Sequence, residues 1–437
     1  MILTSLWTFL QRRRTALWAL LLMSLVYFFS YFQRVAIPGT IFDELQSEFG
    51  VSAGAIATLS SLFLYIYGGL QIAVGLAADR WGGARVLLAG GLLLSLGALW
   101  FPLAHSFPEL YASRILVGLG ASSIFISIVK EIDTLFESRH FAPMLCIVLF
   151  IGYSGGLFAT FPFERMVAWM GWRPSLLITG VLYAAIFLTA AILLKRFAGP
   201  RAEPSPKVDL YLKDILGNPH IYPVVFSGAV NFAIYFIWQA VFGKKMLTDV
   251  CGFSSAGAAS VTFYMMLIGM IFVTASGFLS RLMGNRRKPV MIAGIILTLI
   301  ALALMTLSLT PHPHPRWMLT GYLMLGIASS ASVMFSCTMK ELNPERAAGT
   351  SVGFGNSACY LAVAVIVNGA GALMDLFRDQ AISSSSALVY PPSAYRAILF
   401  LCLVLAAISA ISVFFIRESR GISIYRPHPP SEPVPAA

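Results

Sequence analysis

Apolar residues run through this chain in blocks of about twenty, separated by short polar segments. A bilayer hydrocarbon core of about 30 Å takes roughly 20 apolar residues per helix. The pattern predicts twelve such helices, at 16–37, 54–77, 84–104, 108–130, 143–162, 174–194, 222–243, 258–279, 289–309, 317–339, 349–374 and 395–416. A closed barrel is the other way to satisfy backbone groups in lipid, but its strands alternate apolar and polar residues. Stretches such as "RVLLAGGLLLSLGALWFPL" do not alternate. The predicted fold class is therefore an all-α membrane protein.

The polar segments divide the helices into two sets of six. "KRFAGPRAEPSPKVDLYLKDILGNPH", residues 195–220, carries Pro200, Pro204, Pro206 and dense charge, which excludes a further buried helix. It reads as a cytoplasmic linker with a short surface helix in "VDLYLKDIL". On either side, "GLAADRWGGAR" (Gly75 to Arg85) and "GFLSRLMGNRRK" (Gly277 to Lys288) each follow the second span of their set. A duplicated six-helix unit leaves such a trace, and places a substrate site between the halves near the midplane. The expected organisation is a bundle over 1–194, a linker over 195–220, a second bundle over 221–416 and a tail over 417–437.

Composition sharpens the picture without changing it. The 437 residues are 58% hydrophobic and 11% charged, with mean hydropathy +0.80, which excludes a water-soluble chain. A net charge of +11 raises the question of nucleic acid, yet the Lys and Arg residues lie mostly in alternate loops rather than in one cluster. That is the positive-inside bias, and it predicts an inner or plasma membrane protein with both termini cytoplasmic and no nucleic-acid partner. The first apolar run is too long for a signal peptide and reads as a retained span. Five cysteines without a CxxC pair, and His312 and His314 without a third ligand, imply neither a metal site nor a cofactor. No paired catalytic constellation or phosphate-binding Gly-Lys loop points to an enzyme.

Several motifs carry a resemblance. "GLAADRWGGAR" resembles the loop between helices two and three of the major facilitator superfamily, with Gly75, Asp79, Arg80, Gly82 and Arg85 at the matching positions. "RILVGLGAS" is similar to its fourth-helix pattern through Arg114, Gly118 and Gly120, and "GWR" (Gly171 to Arg173) stands before the sixth span as it often does there. The resemblance covers nearly the whole chain and implies two six-helix bundles rocking about a central site. Asp79, Arg80 and Arg85 are then expected in a latch on the inner side, since a carboxylate against a helix N-terminus or an Arg ties helices together. The second loop has Arg281 where the first has Asp79, so the first half is expected to hold the stronger latch. Arg114 lies within a span, which is costly unless it snorkels or finds a partner, and both readings stay open: an outer-interface anchor, or a bond between helices that assists gating.

Arg34 is the more informative charge. In "YFFSYFQRVAIPG", Tyr27, Tyr31 and Arg34 share one helical face, and no Asp or Glu lies mid-span anywhere in the chain. An unpaired guanidinium in a cavity favours an anion, held bidentately as a carboxylate or phosphate. The stretch resembles the first helix of organic-anion and organophosphate permeases, which implies substrate contact for Arg34. "NFAIYFIWQAVFGKK" lacks the mid-span basic residue expected in phosphate exchangers and has Lys244 and Lys245 only at its outer end. Tyr31, Tyr67, Gln71, Trp238, Gln239, Asn356 and Tyr360 are the candidate wall residues. Glu131 and Asp133, at the inner end of the fourth span, are either interfacial charges or coupling groups. The expected partners are a small solute, a co-transported ion and the bilayer. The fifth span, "GYSGGLFATFPF", lacks the Gly-Pro pair usual in drug antiporters, which leaves an exporter of lipophilic cations, or a non-transporting receptor, as the alternative.

Overall fold

The computed structural model describes residues 14–136, 138–197, 212–309, 314–344, 348–383 and 388–424. The first set of helices is α1 (Arg14–Ala36), short α2 (Phe42–Phe49), α3 (Ala53–Trp81), α4 (Gly83–Trp100), α5 (Phe107–Leu135), α6 (Ser138–Phe158), α7 (Phe161–Met170) and α8 (Trp172–Phe197). After short α9 (Leu212–Leu216) come α10 (Ile221–Ala240), α11 (Gly243–Cys251), α12 (Ser255–Leu282), α13 (Lys288–Ser308), α14 (Pro315–Ser329), α15 (Ser332–Glu341), α16 (Ala348–Asp375) and α17 (Pro392–Phe414). A two-residue antiparallel ladder joins β1 (Ile382–Ser383) to β2 (Leu388–Val389).

Among the described residues eleven helices are long and apolar enough to cross a membrane, and the bent pair α6 and α7 makes a twelfth span. The 41° bend has a chemical cause. Pro162, in the first turn of α7, has no N–H to give Phe158, and Thr160 leaves the helical region. With twelve crossings, α1 begins and α17 ends on one face, called here the terminal face; the other is the far face.

The two sets share local devices at the same interval in sequence. Gly50 and Gly252, both left-handed, stop the short helices α2 and α11. Two residues later Ser52 and Ser254 cap α3 and α12, accepting from Ala55 N and Gly257 N at 3.2 and 3.1 Å. Gly82 and Gly284, at φ +86° and +70°, turn the chain at the glycine-rich loops. The short far-face helices α2 and α11 read as loops in the sequence, because each has only two turns and carries charge.

The halves meet along two seams. On one, α3 runs beside α16, so closely that Gly371 faces Gly54 and Ala57 with no room for a side chain. On the other, α12 lies against α6 and α7. Exposed Trp18, Phe150, Trp169, Val365, Phe400 and Ile411 face outward from the bundle, where a bilayer would solvate them. Most of the linker lies outside the described residues, but α9 buries Ile215, and Asn218 donates to Leu342 O at 2.8 Å. The Ser-rich segment after α16 carries the β1–β2 ladder and the buried Tyr390, and the chain after α17 is anchored through Ser419 to Glu341. Residues 384–387 of the Ser-rich segment and the Pro-rich tail from 425 onward lie outside the described residues.

Candidate functional site

Arg34 lies in the last turn of α1, only 2% exposed. Its guanidinium carbon sits 4.4 Å from the ring centre of Tyr67, 4.8 Å from Tyr31, 5.0 Å from Tyr360 and 5.8 Å from Phe63. Nη1 donates to Tyr360 Oη at 2.6 Å, across the seam between the halves. Nε and Nη2, adjacent donors on one edge of the guanidinium, have no hydrogen-bond partner among the described residues. Burying a cation costs several kcal/mol. Each ring contact returns about 0.5–2 kcal/mol. The rings hold the charge in place without neutralising it.

A cavity of about 210 Å³ begins beside this cluster and runs toward the terminal face. Tyr31, Tyr153, Phe232, Asn356 and Tyr360 line its deep end, and Phe335 and Met339 its mouth. Tyr360 packs edge-on to Tyr67 at 4.6 Å and to Phe232 at 5.5 Å. The structure therefore brings Tyr31, Tyr67 and Tyr360 around Arg34 and puts Tyr31, Asn356 and Tyr360 in the cavity wall, with Arg34 and Tyr67 behind it. Gln71 lies one turn below Tyr67 and spends its amide on Tyr67 O at 3.1 Å. Trp238 and Gln239 do not line this cavity: Trp238 is fully buried in the apolar core, and Gln239 reaches Met266 Sδ at 3.6 Å.

Above Arg34 the far face is closed by charge. Lys244 of α11 meets Glu164 of α7 at 2.5 Å and donates to Thr40 O at 2.5 Å, with both charged side chains no more than 5% exposed. Lys245 bonds Asp43 at 2.7 Å, Asp249 at 3.2 Å and Leu388 O at 2.8 Å. Asp249 also accepts from Tyr395 Oη at 2.6 Å and Tyr390 N at 3.0 Å. On the other seam Asp375 accepts from Ser52 Oγ at 2.7 Å and Gly54 N at 2.9 Å. Near Lys244 and Glu164, Glu44 Oε2 is buried without a partner among the described residues. Burial raises the Glu44 carboxyl above the ordinary glutamate range, with Lys244 opposing. Burial likewise raises Asp249, against Lys245. None of these gate residues stood out in the sequence beyond the outer-end pair "KK", since their partners lie far away along the chain.

The remaining candidates hold the first half together. Fully buried Arg114 donates to Gln33 O at 3.0 Å and Ile37 O at 3.1 Å and packs over Phe63, so it clasps the end of the Arg34 helix rather than snorkelling. Arg173 of "GWR" pairs with Glu48 at 2.6 Å. Glu131 accepts from Ala84 N at 2.6 Å, placing a carboxylate at the N-terminus of α4. Arg80 and Arg85 are exposed. The side chains of Asp79 and Asp133 lie outside the described residues. In the second half, Arg287, at the position corresponding to Arg85, pairs with Glu341 at 3.0 Å, while Glu418 accepts from Arg287 N and Lys288 N at 2.8 and 3.1 Å. The second loop is thus tied down without an acid of its own.

The sequence pattern of the Major Facilitator Superfamily matches residues 23–367. The chain belongs to this superfamily. It is 28% identical over 175 residues to monocarboxylate transporter 7 of Homo sapiens, a match covering 39% of this chain and 32% of that protein. It is 25% identical over 175 residues to the methyl viologen resistance protein SmvA of Salmonella typhimurium, covering 39% and 35%. The matches thus span about a third of each relative's length. The superfamily fold is shared with a bacterial homologue of the human lysosomal transporter Spinster, solved inward-facing and unoccupied, at TM-score 0.76 and 17% identity over 93% of this chain and 98% of that one.

Proposed function

We propose that the chain transports small organic monoanions by alternating access, the bundles over 1–194 and 221–416 rocking about Arg34. The observation that carries this reading is the Nε–Nη2 edge of a buried guanidinium that lacks a partner among the described residues and is enclosed by Tyr31 and Tyr360, two rings of the cavity wall. That edge matches two oxygens of a carboxylate or of a sulfonate or phosphate ester. Charge limits the choice further. No Lys or Arg lines the cavity among the described residues; Arg34 stands behind Tyr31 and Tyr360, Arg114 beyond Phe63 is spent on the Gln33 and Ile37 carbonyls, and Lys244 and Lys245 are committed to the far gate. A dianion bound here would bury one charge without compensation, so a single negative charge with an apolar body fits best.

The arrangement reads as the inward-facing state, with the terminal face, the linker 195–220 and the tail 417–437 cytoplasmic in the cell membrane. The positive-inside bias supports that orientation. The far-gate ion pairs must break and the cavity mouth must close for exchange of access. Glu131, spent on capping α4, serves as a fastener of the inner end rather than as a mobile proton carrier. The names of the relatives point both ways, to a monocarboxylate and to methyl viologen; a lipophilic cation in this cavity would lie next to the buried Arg34 charge behind Tyr31 and Tyr360.

Thermal shift of the purified protein tests the reading. Benzoate and other monocarboxylates are expected to raise the melting temperature of wild type and to lose that effect in Arg34→Gln. Stabilisation by tetraphenylphosphonium but not by monocarboxylates would overturn the anion assignment.

A further inference from the structure

A separate feature lies away from the cavity, at the terminal face on the outside of the second half. There a groove of about 500 Å³ is walled by Arg286, Lys288 and Arg420 and floored by Ile292 and Ile296 of α13. The floor belongs to the bilayer. On α13, Met291 and Ile295 turn into the bundle and are buried, whereas Ile296 is 49% exposed on the outward side. The walls are two turns pressed together, Gly284–Asn285 and Arg420–Gly421, all four residues in the left-handed region, with Gly421 packed on Asn285. Arg420 is not glycine, so this conformation carries a backbone cost that the surrounding contacts must hold.

The charges in the groove are unbalanced. Three cations face one acid, Glu418, whose carboxylate already accepts from the backbone N–H groups of Arg287, Lys288 and Arg420 at 2.8, 3.1 and 3.3 Å. Lys288 Nζ caps Phe414 O at 2.6 Å. The guanidinium groups of Arg286 and Arg420 make no hydrogen bond among the described residues. An anion is therefore what the walls lack, and a hydrocarbon chain is what the floor is built to meet.

We propose that this groove binds an anionic phospholipid, the phosphate between Arg286, Lys288 and Arg420 and the upper acyl chain along Ile292 and Ile296. The bound lipid pins the segment after α17 to the α12–α13 loop. Because Ser419 and Arg287 both reach Glu341 at the end of α15, the same lipid braces the helix that carries Ser336 and Met339 at the cavity mouth. A free phosphate satisfies the walls and leaves the floor unused, so the apolar floor selects the lipid source. The site stands independently of what the cavity carries.

The test uses the full chain in nanodiscs of phosphatidylcholine alone or with roughly a third phosphatidylglycerol, read by melting temperature and by the phosphatidylglycerol retained in native mass spectrometry. Wild type is expected to be stabilised by phosphatidylglycerol. In Arg286→Gln with Arg420→Gln the retained lipid falls, by roughly fivefold for each charge removed. The charge-preserving pair Arg286→Lys with Arg420→Lys keeps most of it, and Lys213→Gln, an exposed basic position outside the groove, keeps all of it. Undiminished retention in the double Gln variant overturns the proposal, as does loss in the double Lys variant equal to that in the double Gln variant. Full reproduction of the stabilisation by inorganic phosphate in phosphatidylcholine discs overturns the lipid assignment in favour of a soluble anion.

Discussion

Replacing Lys244 with Met is expected to open the far face. In the closed arrangement Lys244 neutralises Glu164, and both side chains are almost wholly removed from water. Removing one partner of a buried pair leaves the other charge uncompensated, at a cost of about 3–5 kcal/mol. The opening that exposes this layer lets water solvate the orphaned carboxylate, so the cost falls on the closed state alone. At 1.4 kcal/mol per tenfold, the equilibrium should move by roughly a hundredfold to a few thousandfold toward opening. Spin labels at Ser47, exposed on α2, and Gln380, exposed beyond α16, report the separation of the halves on this face. Lys244→Met should shift the distance distribution outward, and Glu164→Gln should do so in its own right. The double variant should recover much of the closure, with a coupling energy of about 2 kcal/mol, since neither charge is then buried alone. If Lys244→Met leaves the distribution unchanged, the pair is not what holds the gate.

Three further outcomes follow from the same layer. Burial raises Glu44 and Asp249 in the closed state, so both bind protons more tightly there than when solvated. Closure should therefore strengthen as pH falls from neutrality through their raised values and weaken as pH rises through them, and Glu44→Gln should flatten part of that dependence in the same spin-label measurement. Burial also pushes the Cys251 thiol at the end of α11 up to about 11, so a variant retaining only that cysteine should alkylate slowly at neutral pH. Opening by Lys244→Met returns the thiol toward its ordinary value, and the thiolate fraction should rise by up to about a hundredfold; an unchanged rate would count against gate opening. Gly371→Val inserts a side chain where α16 touches Gly54 and Ala57, and should separate the halves at a cost of about 1–3 kcal/mol, seen as a longer Ser47 to Gln380 distance.

The first half of the molecule shows how far local signals reach. Tyr27, Tyr31 and Arg34 were legible as one face because helical spacing places them there, and the absence of a mid-span acid left Arg34 looking unpaired. The structure adds the contact from the opposite half, Tyr360, which no spacing within α1 predicts. Trp238 and Gln239 illustrate the limit. Both sit on a helix that borders the centre, but the rotation of α10 about its axis turns the indole into the core. That rotation is decided by packing against the neighbouring helices. At the inner end the structure places Glu131 at the head of α4, a residue whose distance along the chain conceals the match, while the side chain of Asp79, of which a latch is expected, lies outside the described residues.

What the sequence determines by itself is whatever depends on local composition and period. The number of spans follows from the length of apolar runs against bilayer thickness. The repeat follows from the glycine-rich loops at matching positions, and the expected orientation from loop charge. The far gate is different in kind. Glu164 to Lys244 and Asp43 to Lys245 are pairs between residues on opposite halves, brought together only when one bundle docks on the other. Their energy depends on mutual burial, which no window of sequence contains. Tertiary structure alone decides which charges are spent on closing the gate, and that the Nε–Nη2 edge of Arg34 has no partner among the described residues.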